Sequence, residues 1–448
     1  MKLRTPYHPL IALSLSLILA ACGGTDEEAD PEPSEPSNQV SEQPGDVLES
    51  SKTRELSPEV DDATAEQLTR NNRDFAFSLA AQIRDDEEEE GKNLFFSPHS
   101  ISIALAMTLG GAIEQTHEQL ANTLRFELPE EELHPAFNAL DQELDLRGDV
   151  EVDEGDPPVL HVVNATWGQR DYPFSEDYLD LLAVNYGAGL RLMDFVADPD
   201  GERERINQWV EDQTNERIKD LLPAGVITPL TRLVLTNAIY FLAGWDTPFE
   251  EYLTSDEPFY LIDGGEVDAP LMSQTAHYSY YDGEDTRAVV LPYVGGEISL
   301  IALKPKDADH FESWEASLDR EHFDAVVDGL SISEGRVRIP SFEVEGDYDI
   351  KDLFQKMGWT NFSQLDRMLA DDFHDDLAIT DILHKSFISL DEEGTEAAAA
   401  TAVVVGRDES AGGGLMFDMR FDRPFYYAIY DHPTDSILFL GRLMNPLE

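Results

Sequence analysis

The stretch whose reading decides the fold is Asp391-Glu392-Glu393-Gly394-Thr395-Glu396, then Ala397 to Ala400, Thr401-Ala402, Val403 to Val405 and Gly406-Arg407-Asp408. Local propensity pulls it two ways, because the alanines favour a helix while Thr401 and the three valines favour a pleated strand. At period two, one face carries Thr395, Ala397, Ala399, Thr401, Val403 and Val405, all small or apolar, so the segment can enter a sheet as a buried central strand. An ordinary buried strand or an Ala-rich helix is the plain alternative. Against it, Gly394 permits unusual backbone angles at the start, and Gly406 leads through Arg407, Asp408 and Glu409 into Ser410-Ala411-Gly412-Gly413-Gly414, a loop composition. A strand-ready segment therefore runs straight into an exposed tip.

The run from Glu392 to Ala402 resembles the hinge of the reactive-centre loop of inhibitory serpins. Other stretches resemble the same family: Asn93 to Leu105, Gly244-Trp245-Asp246-Thr247-Pro248-Phe249, Leu291-Pro292-Tyr293, Phe421-Asp422-Arg423-Pro424-Phe425, and Ile437 to Pro446. The likeness spans about residues 66–448. It implies an α+β serpin fold over 65–448, with three β-sheets, about eight or nine helices and an exposed reactive-centre loop. It also implies roles for single residues. Glu392, Gly394, Thr395, Ala397, Ala398, Ala399, Ala400 and Thr401 match the hinge. Ser97, Ser100, Asn237 and His384 match the shutter, a polar cluster beneath the place where the main sheet parts, and Trp245 matches the breach, where insertion begins. For each of these, plain core packing is the competing reading. A count of seventeen residues from Glu392 puts the reactive bond at Asp408-Glu409; a loop one residue shorter puts it at Arg407-Asp408, which suits a trypsin-like pocket.

The implied activity is inhibition of a serine or cysteine endopeptidase by a suicide-substrate route, with the target protease as partner. Two alternatives stay open: a non-inhibitory serpin that serves as a surface binding or scaffolding protein, and a membrane-tethered hydrolase. No Gly-x-Ser-x-Gly elbow, no His-Glu-x-x-His and no cysteine nucleophile stands in the domain. No catalytic residue, cofactor or metal is expected. Asp371, Asp372, Asp375 and Asp376 flank His374 and have the chemistry to hold a divalent ion, but in so acidic a chain a solvated surface is the simpler reading.

The amino terminus reads as an export signal over 1–21, with Lys2 and Arg4 ahead of an apolar run from Leu10 to Ala21. Leu19-Ala20-Ala21-Cys22 resembles the bacterial lipobox, which implies lipidation of Cys22 and an anchor in the cell envelope. Gly23 then implies the outer membrane, with the domain periplasmic or surface-exposed. Cys22 is the single cysteine, so no disulfide is available. Residues 22–64, rich in Pro, Ser and acids, are expected to form a disordered acidic tether.

In the domain, Leu68, Phe75, Leu79 and Ile83 predict a helix over 64–84, and further helices are expected near 116–125, 175–186, 201–218 and 348–358. Leu233 to Phe241 reads as a strand buried on both faces, and Val337 to Val344 as one strand. Asp263-Gly264-Gly265, Asp282-Gly283 and Gly295-Gly296 mark hairpins. The chain carries 91 acidic and 31 basic residues, a net charge of −60. Such a surface repels nucleic acid and keeps the protein monomeric, while self-repulsion strains the compact state, as in proteins adapted to brine. The midpoint temperature should therefore rise by several degrees between about 0.1 and about 3 M salt, where the screening length shrinks to a few ångströms; a midpoint that stays flat or falls removes the saline explanation.

Overall fold

The computed structural model describes residues 46–149, 157–371, 373, 377–395 and 415–448. Several helices begin where a polar cap meets a free amide. Asp61 starts α1 (Asp62–Arg84) by accepting from the Thr64 N–H, and Ser97 starts α2 (Pro98–Leu109), with Pro98 in the first turn. Every residue of α2 is buried, so it runs through the core. α3 (Glu114–Thr123) and α4 (Glu130–Asp145) follow, then α5 (Glu176–Tyr186), stopped by Gly187 in the left-handed region at φ 59°. α6 (Pro199–Gln213), α7 (Phe311–Glu315), α8 (Arg320–Asp328) and α9 (Ile350–Met357) complete the set among the described residues.

The larger body of function lies in a seven-stranded sheet. Its spatial order is β1 (Asp46–Leu48), β4 (Leu190–Met193), β3 (Val159–Gln169), β5 (Leu233–Gly244), β13 (Gly394–Thr395), β12 (Leu383–Leu390) and β11 (Phe342–Asp349). α6 lies over the β3 side of this sheet. There Ile206, Trp209 and Val210, with Ile218 just beyond the helix, are buried as the periodicity predicts, and Trp209 meets Trp167 edge to face at 5.2 Å. A second sheet of nine strands joins β14 (Phe417–Arg420), β10 (Ser331–Pro340), β7 (Glu266–Asp282), β8 (Thr286–Pro292), β9 (Ile298–Pro305), β15 (Phe425–Asp431), β16 (Ser436–Leu443) and β2 (Leu94–Phe96), with β6 (Ser255–Tyr260) on β7. β2, β5, α1, α2 and the second sheet share one large apolar core.

The α+β class and the nine helices agree with expectation; several particulars do not. Two of the three expected sheets are one hydrogen-bonded ladder, because β7 is long enough to pair with β6 at Glu266–Leu271 and with β8 at Tyr280–Asp282. Val337 to Val344 is not one strand: it is divided between β10 and β11, which belong to different sheets, and the break falls at Pro340-Ser341, where proline has no N–H to give. α4 was missed, although Leu133, Phe137, Leu140 and Leu144 recur at helical spacing and are buried. α6 ends at Gln213, short of the predicted 218.

The tether was expected to run to residue 64, yet residues 46–61 are tied to the domain. β1 pairs antiparallel with β4, Glu55 N–H donates to Val184 O at 2.9 Å, and the Arg54 guanidinium reaches Asn138 Oδ1 at 2.8 Å and the Asp141 carboxylate at 2.5 Å. Composition missed this because the attachment uses backbone edges and single charges rather than an apolar run.

Candidate functional site

The site lies between β5 and β12. These strands pair directly, in parallel, only at Asn237–Ile239 against His384–Ser386. At the other end they are held apart by β13, which is antiparallel to both: Thr395 stands opposite Ala243 on one side and Leu390 on the other. The expected hinge residues Gly394 and Thr395 are thus already in the sheet.

A turn places them there. Asp391 Oδ1 accepts from the N–H groups of Glu393 and Gly394 at 2.9 and 3.1 Å, and the Asp391 N–H donates to Gly394 O. Burial raises the Asp391 carboxyl above its ordinary range, with the two amides pulling the other way. Gly394 must be glycine for want of space, since a Cβ would lie 2.1 Å from Ala243 O. Thr395 is 1% exposed, and its hydroxyl shares a 2.6 Å hydrogen bond with the buried Tyr293 OH.

Trp245, expected at the breach, lies directly under this turn. Its indole N–H donates to Asp391 O at 2.9 Å, its backbone N–H to Glu393 O at 2.8 Å, and its ring stacks on Tyr293 with centroids 4.6 Å apart. Glu392 is fastened too: Phe249 N–H donates to its carbonyl at 2.8 Å and Thr254 Oγ1 to its carboxylate at 2.5 Å.

The four residues expected at the shutter are brought into one network. Ser97 caps α2 by accepting from the Ser100 N–H at 3.1 Å, and its hydroxyl donates to Leu438 O at 2.7 Å. The Ser97 N–H donates to His384 Nε2 at 3.1 Å, which leaves the proton of the neutral ring on Nδ1, donated to Asn237 Oδ1 at 2.7 Å. The Asn237 amide then donates to Ser100 O, Ser100 Oγ and Asn164 Oδ1, at 2.5, 2.6 and 2.7 Å. Burial pushes His384 down to about 3, so it is neutral throughout the physiological range.

Sequence reasoning missed Asn164, Asp391 and Tyr293 as members of the site. Asn164 stands opposite Asn237 in the β3–β5 register, a long-range pairing that no local pattern reveals. Tyr293 was at hand in Leu291-Pro292-Tyr293, and Asp391 adjoined the hinge. The remaining expected residues, Ala397, Ala398, Ala399, Ala400 and Thr401 of the hinge, Arg407, Asp408 and Glu409 of the reactive bond, Cys22, and His374 with Asp372, Asp375 and Asp376, lie outside the described residues. Among the described residues, no group of three or more His, Cys, Asp or Glu side chains could hold a metal ion.

The sheet thus has a polar network at one end of the β5–β12 seam and a two-residue wedge at the other. The family model described as serpin (serine protease inhibitor) matches residues 70–446. The chain is 36% identical to an uncharacterized serpin-like protein of Thermococcus kodakarensis over 84% of each chain. It is 34% identical to antithrombin-III of Mus musculus, covering 87% of this chain and 84% of the relative. The crystal structure of the thermophilic serpin tengpin in its native state superimposes with a TM-score of 0.74 at 25% identity, over 88% of this chain and 97% of that one. This chain belongs to the serpin family, whose members are in general protease inhibitors that meet target proteases rather than catalytic enzymes.

Proposed function

We propose that this chain traps a serine or cysteine endopeptidase as a suicide substrate. The observation that carries the reading is the seating of Gly394 and Thr395 between β5 and β12. From Ala243 back to Asn237 is six residues, and from Leu390 back to His384 is also six. Carrying the register six residues on from Thr395 would set Thr401 between Asn237 and His384, where the two strands now pair directly. Insertion of the severed segment would replace that three-residue pairing with a full ladder, each new bond contributing about 0.5–1.5 kcal/mol. Ala397, Ala399, Thr401, Val403 and Val405 would follow Thr395 on the buried face, with several kcal/mol more at about 25 cal/mol per Å². A protease still held as an acyl-enzyme would be dragged with the segment and its active site distorted; loss of one oxyanion-hole donor slows hydrolysis by about 10²–10³.

The small residues of the hinge face argue against the non-inhibitory alternative. The reactive bond is taken as Arg407-Asp408. The rest of the reading comes from sequence: export, lipidation at Cys22, an outer-membrane anchor and a monomeric domain on the 22–45 part of the leader.

Incubation with trypsin, chymotrypsin, elastase and subtilisin should give a denaturant-stable covalent band with at least one of them. Ala399→Arg should convert the inhibitor into a substrate, cleaved at a similar rate with no stable band. It serves better than Thr395→Arg, which also disturbs the seated wedge. A stable band from Ala399→Arg would end the insertion mechanism. Mass measurement of the released carboxyl-terminal peptide should find Asp408 at its start; Glu409 there would move the reactive bond to Asp408-Glu409.

The polar network sets a pH dependence. His384 is neutral in the fold down to about pH 3, whereas in the unfolded chain it takes up a proton near its ordinary value of 6.5. Its contribution is complete above about pH 6.5 and declines by about 1.4 kcal/mol per pH unit as pH falls toward 3. Between pH 7 and pH 5, urea unfolding of His384→Gln should lose about 2 kcal/mol less stability than the unsubstituted protein, and equal losses would contradict a neutral buried ring.

A further inference from the structure

In a chain of 91 acidic and 31 basic residues, several of the cations gather at the end of β9. Lys304 stands directly opposite Arg287 of β8, an unfavourable like-charge pairing, and Arg420 and Arg423 approach from the chain leaving β14. Desolvation and these three guanidiniums all push the Lys304 ammonium below its ordinary range, with Asp422 pulling it back.

The donors here are underused. Lys304 Nζ donates to Arg420 O and lies 5.7 Å from the Phe421 ring centroid, while an ammonium has three hydrogens to give. Arg423 rests over the Tyr260 ring at 4.8 Å and makes no ion pair among the described residues. The neighbouring cations are already paired: Arg420 with Glu257 at 2.7 Å and Asp422 at 3.2 Å, and Asp282 with both Lys306 at 2.8 Å and Arg287 at 3.2 Å.

Lys304, Lys306 and Arg423 face a cavity of about 440 Å³ between the turn after β6, the end of β9, the start of α7 and Asp422–Pro424, and Asp422 lines it too. Tyr260, Leu261, Pro305, Phe311 and Pro424 supply apolar wall, and Asp309 and Glu312 stand exposed at the rim. The volume is that of a small-molecule site. A neutral guest would leave the enclosed ammonium uncompensated, and a bare inorganic ion would leave the apolar wall wet. The two rim carboxylates repel a guest of high negative charge.

We propose that this cavity binds a small organic monoanion, a carboxylate carried on an aromatic or branched apolar body, with the carboxylate paired to Lys304 and Arg423. The site is separate from the hinge, so it stands or falls independently of the inhibitory reading. The probe is 2-naphthoate, measured by calorimetry on the full domain at low salt, with 2-naphthalenemethanol as its neutral counterpart. Naphthoate should bind saturably at one site, at least about tenfold more tightly than the alcohol, and more weakly as salt is raised. Arg423→Gln, at an exposed position, should weaken it about tenfold, the size of one charge-assisted contact, and Lys304→Met by more, while Arg70→Gln on α1 should bind like the unsubstituted domain. If Lys304→Met fails to fold, Arg423→Gln decides alone. Absence of saturable binding, equal affinity for acid and alcohol, or an unchanged affinity in Arg423→Gln would overturn the proposal.

Discussion

The central constraint on this molecule is the pairing of β5 with β12. Among the described residues they pair with one another for three residues at one end and with β13 for two at the other. Between these points, Tyr240–Leu242 and Phe387–Ser389 have no ladder partner on the facing side among the described residues. The β13 wedge and the His384–Asn237 network join the two strands at opposite ends, and α6 lies over the same sheet.

How much of this could be read from sequence depended on whether a feature was local. Of the hinge, Gly394 and Thr395 lie among the described residues, and the burial of Thr395 in the sheet is what the period-two pattern on that short run leads one to expect. α1, α5 and the β5 strand were legible for the same reason. α4 carries an equally good helical pattern in Leu133, Phe137, Leu140 and Leu144. The extent of β7, the division of Val337 to Val344 and the docking of residues 46–61 were not legible, because each is decided by which distant strand or helix lies alongside. The shutter residues were found by resemblance alone. Nothing about isolated serines, an asparagine and a histidine announces a network; the register of β3, β5 and β12 creates it.

Charge is handled differently inside and outside. The surface excess of carboxylates is tolerated by solvation, while the buried ones are individually matched. Asp431 is fully buried against Arg147 at 2.6 Å and also accepts from Thr434 Oγ1, and buried Glu315 accepts from Arg442 at 2.8 Å and Tyr426 OH at 2.7 Å. Removing one partner of such a pair leaves an uncompensated charge in the core, so these pairs fix geometry more than they add stability. They tie β15 and β16 to the chain around residues 143–147 and 315, away from the seven-stranded sheet.

An open sheet faces the hazard of accepting a strand at its margins, from a neighbour. The attachment of β1 bears on this. By pairing with β4 it occupies one outer edge of the seven-stranded sheet, and the opposite edge, β11, carries Glu343, Glu345, Asp347 and Asp349 at alternate exposed positions. Covering an edge and charging an edge are the two common defences against intermolecular pairing. β1 is itself only three residues long and β11 is charged along its exposed face, so the perimeter gives a neighbouring strand little to pair with.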